Sequence, residues 1–123
     1  MSPRLRRQHP ETQIQRCVFQ HLRARGAPGV FAFHPANGGY RKPVEAAILK
    51  SMGVVAGVPD IIAIHEGRCY ALEIKAPGGR PTEIQLATIA ALEAAGAFTA
   101  IAEGLDAALR VLEGWRLLLG RSS

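Results

Sequence analysis

Asp60, Glu73 and Lys75 are two carboxylates and an ammonium carried by neighbouring apolar runs. Two β-rich runs, Val58 to His65 and Arg68 to Ala76, meet at His65-Glu66-Gly67-Arg68, a sequence suited to a tight hairpin. A two-residue turn at Glu66-Gly67 pairs His65 with Arg68 and, counting back, sets Asp60 directly opposite Glu73. Cβ atoms so placed are about 4.5–5.5 Å apart. Lys75 lies two residues beyond Glu73 and points to the same face, whereas Leu72 and Ile74 point to the other. Like charges directly opposed destabilise a sheet unless a cation sits between them. Carboxylate oxygens with no paired Cys or His favour a hard ion such as Mg2+ or Mn2+, which keeps open positions for a phosphate oxygen. A lysine beside that ion can orient a water or help lower its pKa, and the set suits metal-assisted attack on a phosphodiester. A plain surface salt bridge among the three is the alternative; the apolar flanks Ile61, Ile62, Leu72 and Ile74 argue against it.

Other residues have two readings each. Glu11 shares a helical face with Ile14, Val18 and Leu22, so it faces inward as a ligand would. The helix dipole favours a first-turn carboxylate equally well without any metal. Gln85 closes a capping box with Thr82, which explains it without reference to a site. Gly78-Gly79-Arg80 before a helix can cradle a phosphate or form a plain loop. His34 and Asn37 fit as residues near the site, and a strand-ending turn fits them too. Trp115 reads as core rather than as a stacking platform.

Periodicity and turn residues divide the chain into helices and strands. Pro10 opens a helix with Ile14, Cys17, Val18, His21 and Leu22 at helical spacing, ended near Arg25 by Gly26, Pro28 and Gly29. Val30 to His34 reads as a strand and Pro35 to Gly39 as a turn. Pro43 opens a second helix, with Val44, Ala47, Ile48 and Met52 along one face and Gly53 as its stop. After the hairpin, a third helix runs from Thr82 to about Ala95. Phe98 to Ala102 is a fourth strand, and a last helix from near Asp106 turns Leu109 and Leu112 inward. The order is α-β-α-β-β-α-β-α: an α/β domain over residues 10–123, preceded by a basic, flexible arm over 1–9.

Composition narrows the function classes. The 123 residues make one domain, and 48% apolar with 20% charged is an ordinary globular mix. No apolar stretch reaches the roughly 18 residues of a membrane span, and no apolar segment follows the N-terminal arginines as a secretory signal requires. Cys17 and Cys69 form neither a disulfide framework nor a zinc site and suit a reducing, cytoplasmic setting. Residues 1–50 carry nine Arg or Lys against Glu11 and Glu45, a net of +7, while residues 51–123 carry a net of −2. Twelve of the fifteen basic residues are arginine, which grips phosphate bidentately. That asymmetry points to nucleic acid or an anionic surface, the alternative being a solvated basic face.

Gly57-Val58-Pro59-Asp60, twelve further residues, then Glu73-Ile74-Lys75 resembles the PD-(D/E)XK nuclease motif. The wider pattern resembles its virus-type replication-repair branch, the VRR-NUC domain. The matching features are Glu11 on the first helix, His34-Pro35-Ala36-Asn37-Gly38-Gly39, Met52-Gly53-Val54, Leu72-Glu73-Ile74-Lys75, and Gln85 opening the next helix. The resemblance covers roughly residues 10 to 105. It implies a restriction-endonuclease-like core, a mixed four-stranded sheet flanked by helices. It implies metal ligation by Glu11, Asp60 and Glu73, and catalysis by Asp60, Glu73, Lys75 and Gln85 with Mg2+ or Mn2+ and no organic cofactor. Arg4, Arg6, Arg7, His34, Asn37, Arg41, Lys42 and Arg80 are the expected DNA contacts. Larger family members carry further DNA-binding domains. The stand-alone viral and bacterial members imply a homodimer that cleaves Holliday junctions, with helix two or Leu117 to Leu119 supplying the apolar contact. A flap, nick or general duplex nuclease remains open as an alternative, as does a catalytically silent DNA-binding protein. A phosphate-binding regulator built on Gly78-Gly79-Arg80 explains neither the opposed carboxylates nor Lys75.

Overall fold

The computed structural model of the chain describes residues 10–36 and 42–120. The arm 1–9 and the expected DNA contacts Arg4, Arg6, Arg7, Asn37 and Arg41 lie outside the described residues. The elements are α1 (Pro10–Arg25), β1 (Phe31–Phe33), α2 (Pro43–Ser51), β2 (Ile61–His65), β3 (Arg68–Lys75), α3 (Glu83–Ala94), β4 (Phe98–Glu103) and α4 (Leu105–Gly114). This is the expected order. The strands form one mixed sheet, β1-β2-β3-β4, antiparallel except for the parallel β3–β4 pair, which α3 connects.

The hairpin has the expected register, with His65 paired to Arg68 and Ile61 to Leu72. Its turn follows from backbone sterics. Glu66 and Gly67 both have positive φ, 52° and 77°, the signature of the two-residue turn whose twist matches that of paired strands.

One face of the sheet presents Ile61, Ala63, Tyr70, Leu72, Ile74 and Ala102. Val18 of α1, Ala108, Leu109 and Leu112 of α4, and Leu117 and Leu118 beyond it complete this cluster. The stripe of α1 that carries Ile14, Val18 and Leu22 packs inward as its spacing predicts. Arg25 ties the end of α1 to the C-terminal segment, donating to the carbonyls of Leu119 and Gly120 and pairing with Glu113 at 2.8 Å. Trp115 packs against this core beside Tyr70.

One expectation about apolar faces needs correction. Leu117 and Leu118 are buried in the core, because the segment after α4 folds back to bond with Arg25 and Ala27. They are not available to a partner; Leu119 alone of the three is exposed. Helix α2 turns its apolar residues outward, with Val44, Ile48 and, just past its end, Met52 at 70%, 56% and 74% exposure and no buried residue within the helix. The strands are also shorter than expected at several ends. β1 spans three residues, and β2 begins only after Asp60.

These burial differences set a contrast. Leu109→Ala should destabilise the fold by about 2–5 kcal/mol through lost burial and the cavity left behind. Ile48→Ala should change it by about 0.5 kcal/mol or less. Urea denaturation of dilute protein measures both, and a large loss at Ile48 would mean that α2 packs against its own domain.

Candidate active site

β3 is one of the two inner strands, and both of its faces are covered from Tyr70 to Lys75. Leu72 and Ile74 enter the α1/α4 cluster, so Glu73 and Lys75 emerge on the opposite face, as strand alternation requires. There the Glu73 carboxylate is 2% exposed and Lys75 8%. A buried carboxylate must find partners. Glu73 Oε2 lies 3.4 Å from the Lys75 ammonium and accepts from Gln85 Nε2 at 3.0 Å.

Gln85 both caps its helix and reaches the Glu73 carboxylate. Its backbone N–H donates to Thr82 Oγ1 at 3.1 Å and its Oε1 accepts the Thr82 N–H at 2.9 Å, which closes the capping box. The other end of the same amide holds Glu73. The cap therefore fixes the rotamer that reaches the site.

Asp60 sits one residue before β2, a step beyond the Ile61–Leu72 pair and thus across from Glu73. Its Oδ2 accepts the Ile74 N–H at 2.8 Å. The approach to Asp60 is pinned by α3. Thr88 Oγ1 donates to the Ala56 carbonyl at 2.6 Å, and Gly57, with φ of 79°, lies where a Cβ would meet the Ile84 carbonyl at 2.8 Å. Only glycine fits that close approach in that conformation. Glu11 arrives from the first turn of α1, and its Oε2 accepts the Ala76 N–H at 3.2 Å at the end of β3.

The electrostatics follow from this crowding. Burial, then the charge of Asp60, pushes the Glu73 carboxyl up from its ordinary value of 4.5 to about 7, against the pull of Lys75. Burial also raises Asp60, opposed by the Ile74 N–H, with Glu11 adding repulsion. The structure thus brings Glu11, Asp60, Glu73, Lys75 and Gln85 together. Among the described residues, no three Asp, Glu, His or Cys side chains stand close enough to hold a metal ion as placed. Glu11 and Asp60 each commit one oxygen to a backbone N–H of β3 or its end.

The remaining expected contacts are spread out. His34 sits against the Asp60 main chain, its Nδ1 2.7 Å from the carbonyl. Lys42 is exposed at the start of α2, and Arg80 is exposed in the loop before α3. That loop is not a phosphate cradle as it stands. The Gly78 N–H donates to the Glu103 carboxylate and the Gly79 N–H to the Ala76 carbonyl, so both donors are engaged and a negative charge lies alongside. Sequence spacing carried no sign of Glu103, which the parallel β3–β4 register sets beside Lys75.

A solved structure described as a VRR_NUC domain protein matches this chain with a TM-score of 0.69 and 27% identity, covering 92% of this chain and 93% of that one. This chain carries a VRR-NUC domain. No protein-family model matches the sequence, and no curated protein matches it. The VRR-NUC domain is a nuclease-type domain, and its α/β fold here is the mixed four-stranded sheet flanked by helices.

The raised Glu73 value predicts a pH dependence for the metal-free VRR-NUC domain. The folded state holds the Glu73 proton more tightly than the unfolded chain does. This contribution is complete below about 4.5 and is lost as pH rises through about 7. Between about pH 5 and about pH 8 the loss should be on the order of 2–3 kcal/mol, with Asp60 adding in the same direction. Glu73→Gln should flatten the profile and leave the fold at least as stable as wild type at the alkaline end. Chemical denaturation in chelator across this range tests it; a flat wild-type profile, or a large loss in Glu73→Gln, would make Glu73 an ordinary structural partner.

Proposed function

We propose that this VRR-NUC domain is a divalent-metal-dependent, structure-specific DNA endonuclease that hydrolyses phosphodiester bonds and works as a homodimer on branched DNA, in the manner of a Holliday-junction resolvase. The observation that carries this reading is the buried Glu73 beside Asp60, with Lys75 and Gln85 on one of its oxygens. A fold gains nothing in stability from carboxylates crowded this way.

The donor chemistry fits a hard cation. The acidic groups there are all carboxylates, and the raised values of Asp60 and Glu73 mark negative charge that Lys75 only partly offsets. Asp60 and Glu73 would hold Mg2+ or Mn2+, with Glu11 as a further oxygen donor. Such an ion supplies a nucleophile at neutral pH and polarises the phosphate. Lys75 orients the attacking water through its ammonium. Gln85 keeps Glu73 in place through its amide, so the carboxylate need not reorganise. Lys42 and Arg80, both exposed, are offered to the DNA backbone together with the arginines of the first half.

The dimer reading is supported by the outward apolar face of α2 and by Phe31, Phe33 and Ile64, which lie exposed and adjacent at the β1 edge. Apolar residues grouped in this way on a small domain mark contact surfaces. Symmetric cutting of a junction needs two sites related by a dyad.

Purified protein with Mg2+ or Mn2+ should cut labelled four-way DNA in preference to flap, splayed, nicked or plain duplex DNA. Asp60→Asn, Glu73→Gln and Lys75→Ala should each abolish cleavage while DNA binding, which phosphate contacts dominate, persists. Cutting by these variants at the wild-type rate would remove the site assignment. Equal cutting of all substrates by a species that light scattering shows to be monomeric would replace the junction reading with a general nuclease.

A further inference from the structure

Asp60 lies between two prolines that interrupt the sheet ladder. A two-residue hairpin turn closes on a pair that exchanges both hydrogen bonds, so on β2 His65, Ala63 and Ile61 bond toward β3 and Ile64 and Ile62 bond toward β1. Continuing the β1–β2 register past Phe33–Ile62 sets Asp60 across from Pro35, in a position that calls for an N–H on residue 35. Proline has none. The missing donor comes from the preceding side chain, because His34 Nδ1 lies 2.7 Å from the Asp60 carbonyl. A carbonyl oxygen only accepts, so Nδ1 carries the proton.

The other flank is also tied by a side chain, though in a different sense. Continuing the β2–β3 register sets Ile74 across from Pro59, which has no N–H for the Ile74 carbonyl. There the Asp60 carboxylate takes the Ile74 N–H at 2.8 Å. A continuous chain of contacts runs from the His34 ring to the Asp60 peptide, and from the Asp60 carboxylate to the strand that carries Glu73.

We propose that His34 is a positioning residue: its Nδ1–H replaces the ladder bond that Pro35 cannot donate and thereby fixes the direction of the Asp60 carboxylate. The consequence for catalysis rests on the nuclease reading, in which Asp60 is a working carboxylate; the consequence for the Asp60–Ile74 bond does not. The competing role, contact with substrate through Nε2, is separable by shape. An asparagine amide can stand where Nδ1 stands, and a glutamine amide where Nε2 stands.

The test compares wild type with His34→Ala, His34→Asn and His34→Gln in the full chain. Exchange of the Ile74 backbone amide, followed by NMR in chelator, reports on the carboxylate without any catalysis. His34→Ala should speed that exchange, His34→Asn should restore protection, and His34→Gln should not. On the DNA that wild type cuts, His34→Ala should lower kcat by about ten-fold or more at unchanged KM and weaken Mn2+ binding, since loss of a group that orients a ligand typically costs about 10–100-fold. His34→Asn should recover both. Rescue by glutamine instead of asparagine, with a raised KM for the alanine variant, would overturn the proposal in favour of substrate contact. Wild-type exchange at Ile74 in the alanine variant would overturn it as well. A wild type that neither cuts DNA nor binds Mn2+ would sink the nuclease reading alone, and the exchange data would still decide whether His34 holds the carboxylate.

Discussion

A single carboxylate, Glu73, is held in the middle of the sheet with almost no access to water. Strand alternation leaves it no choice of side, because Leu72 and Ile74 are required by the core on the other face. The surroundings of that face follow from it. Lys75 and Gln85 converge on one oxygen, yet burial and the nearby Asp60 still push the carboxyl toward its protonated form. The protein thus maintains a local electrostatic debt that the apolar cluster beneath can carry. A site strained in this way is expected where function rather than stability has set the residues.

The two faces of the sheet divide the work. The α1/α4 face is closed by aliphatic packing and by the Arg25 clamp on the C-terminal segment. The other face is polar at β3 and reached by residues from four separated segments: Glu11, Asp60, the β3 pair and Gln85. α3 links them mechanically. Its N-terminal cap and its grip on Glu73 use the same glutamine, and its flank pins the loop that delivers Asp60. Loss of the cap therefore bears on the site as well as on the helix.

Much of this was legible in the sequence, for definite physical reasons. Glu66-Gly67 admits one kind of turn, and the turn fixes the register that sets Asp60 across from Glu73. Thr82 and Gln85 mark a helix start, though spacing alone offered the cap and a reach toward Glu73 as rivals when one amide does both. Periodicity could not say where an apolar stripe points. The Val44, Ile48 and Met52 stripe of α2 has the same spacing as the core stripe of α1, yet it faces outward. Leu117 and Leu118 were misplaced because their burial depends on contacts with Arg25 and Ala27, about ninety residues away. Gly78 and Gly79 looked like free donors because Glu103 comes near them only through the β3–β4 pairing. Pro35 and Pro59 were visible throughout, but their meaning required the register on both sides of β2.

In the proposed nuclease a cation and a proton compete for the same buried carboxylate. Calorimetric titration of Mn2+ into the metal-free chain, in two buffers of different ionisation enthalpy, counts the protons displaced. Near the Glu73 value of about 7, binding should release about half to one proton per ion, and the release should shrink as the pH rises above it. Mn2+ binding without proton release, or with the same release in Glu73→Gln as in wild type, would contradict the claim, as would a failure of Mn2+ to bind at all.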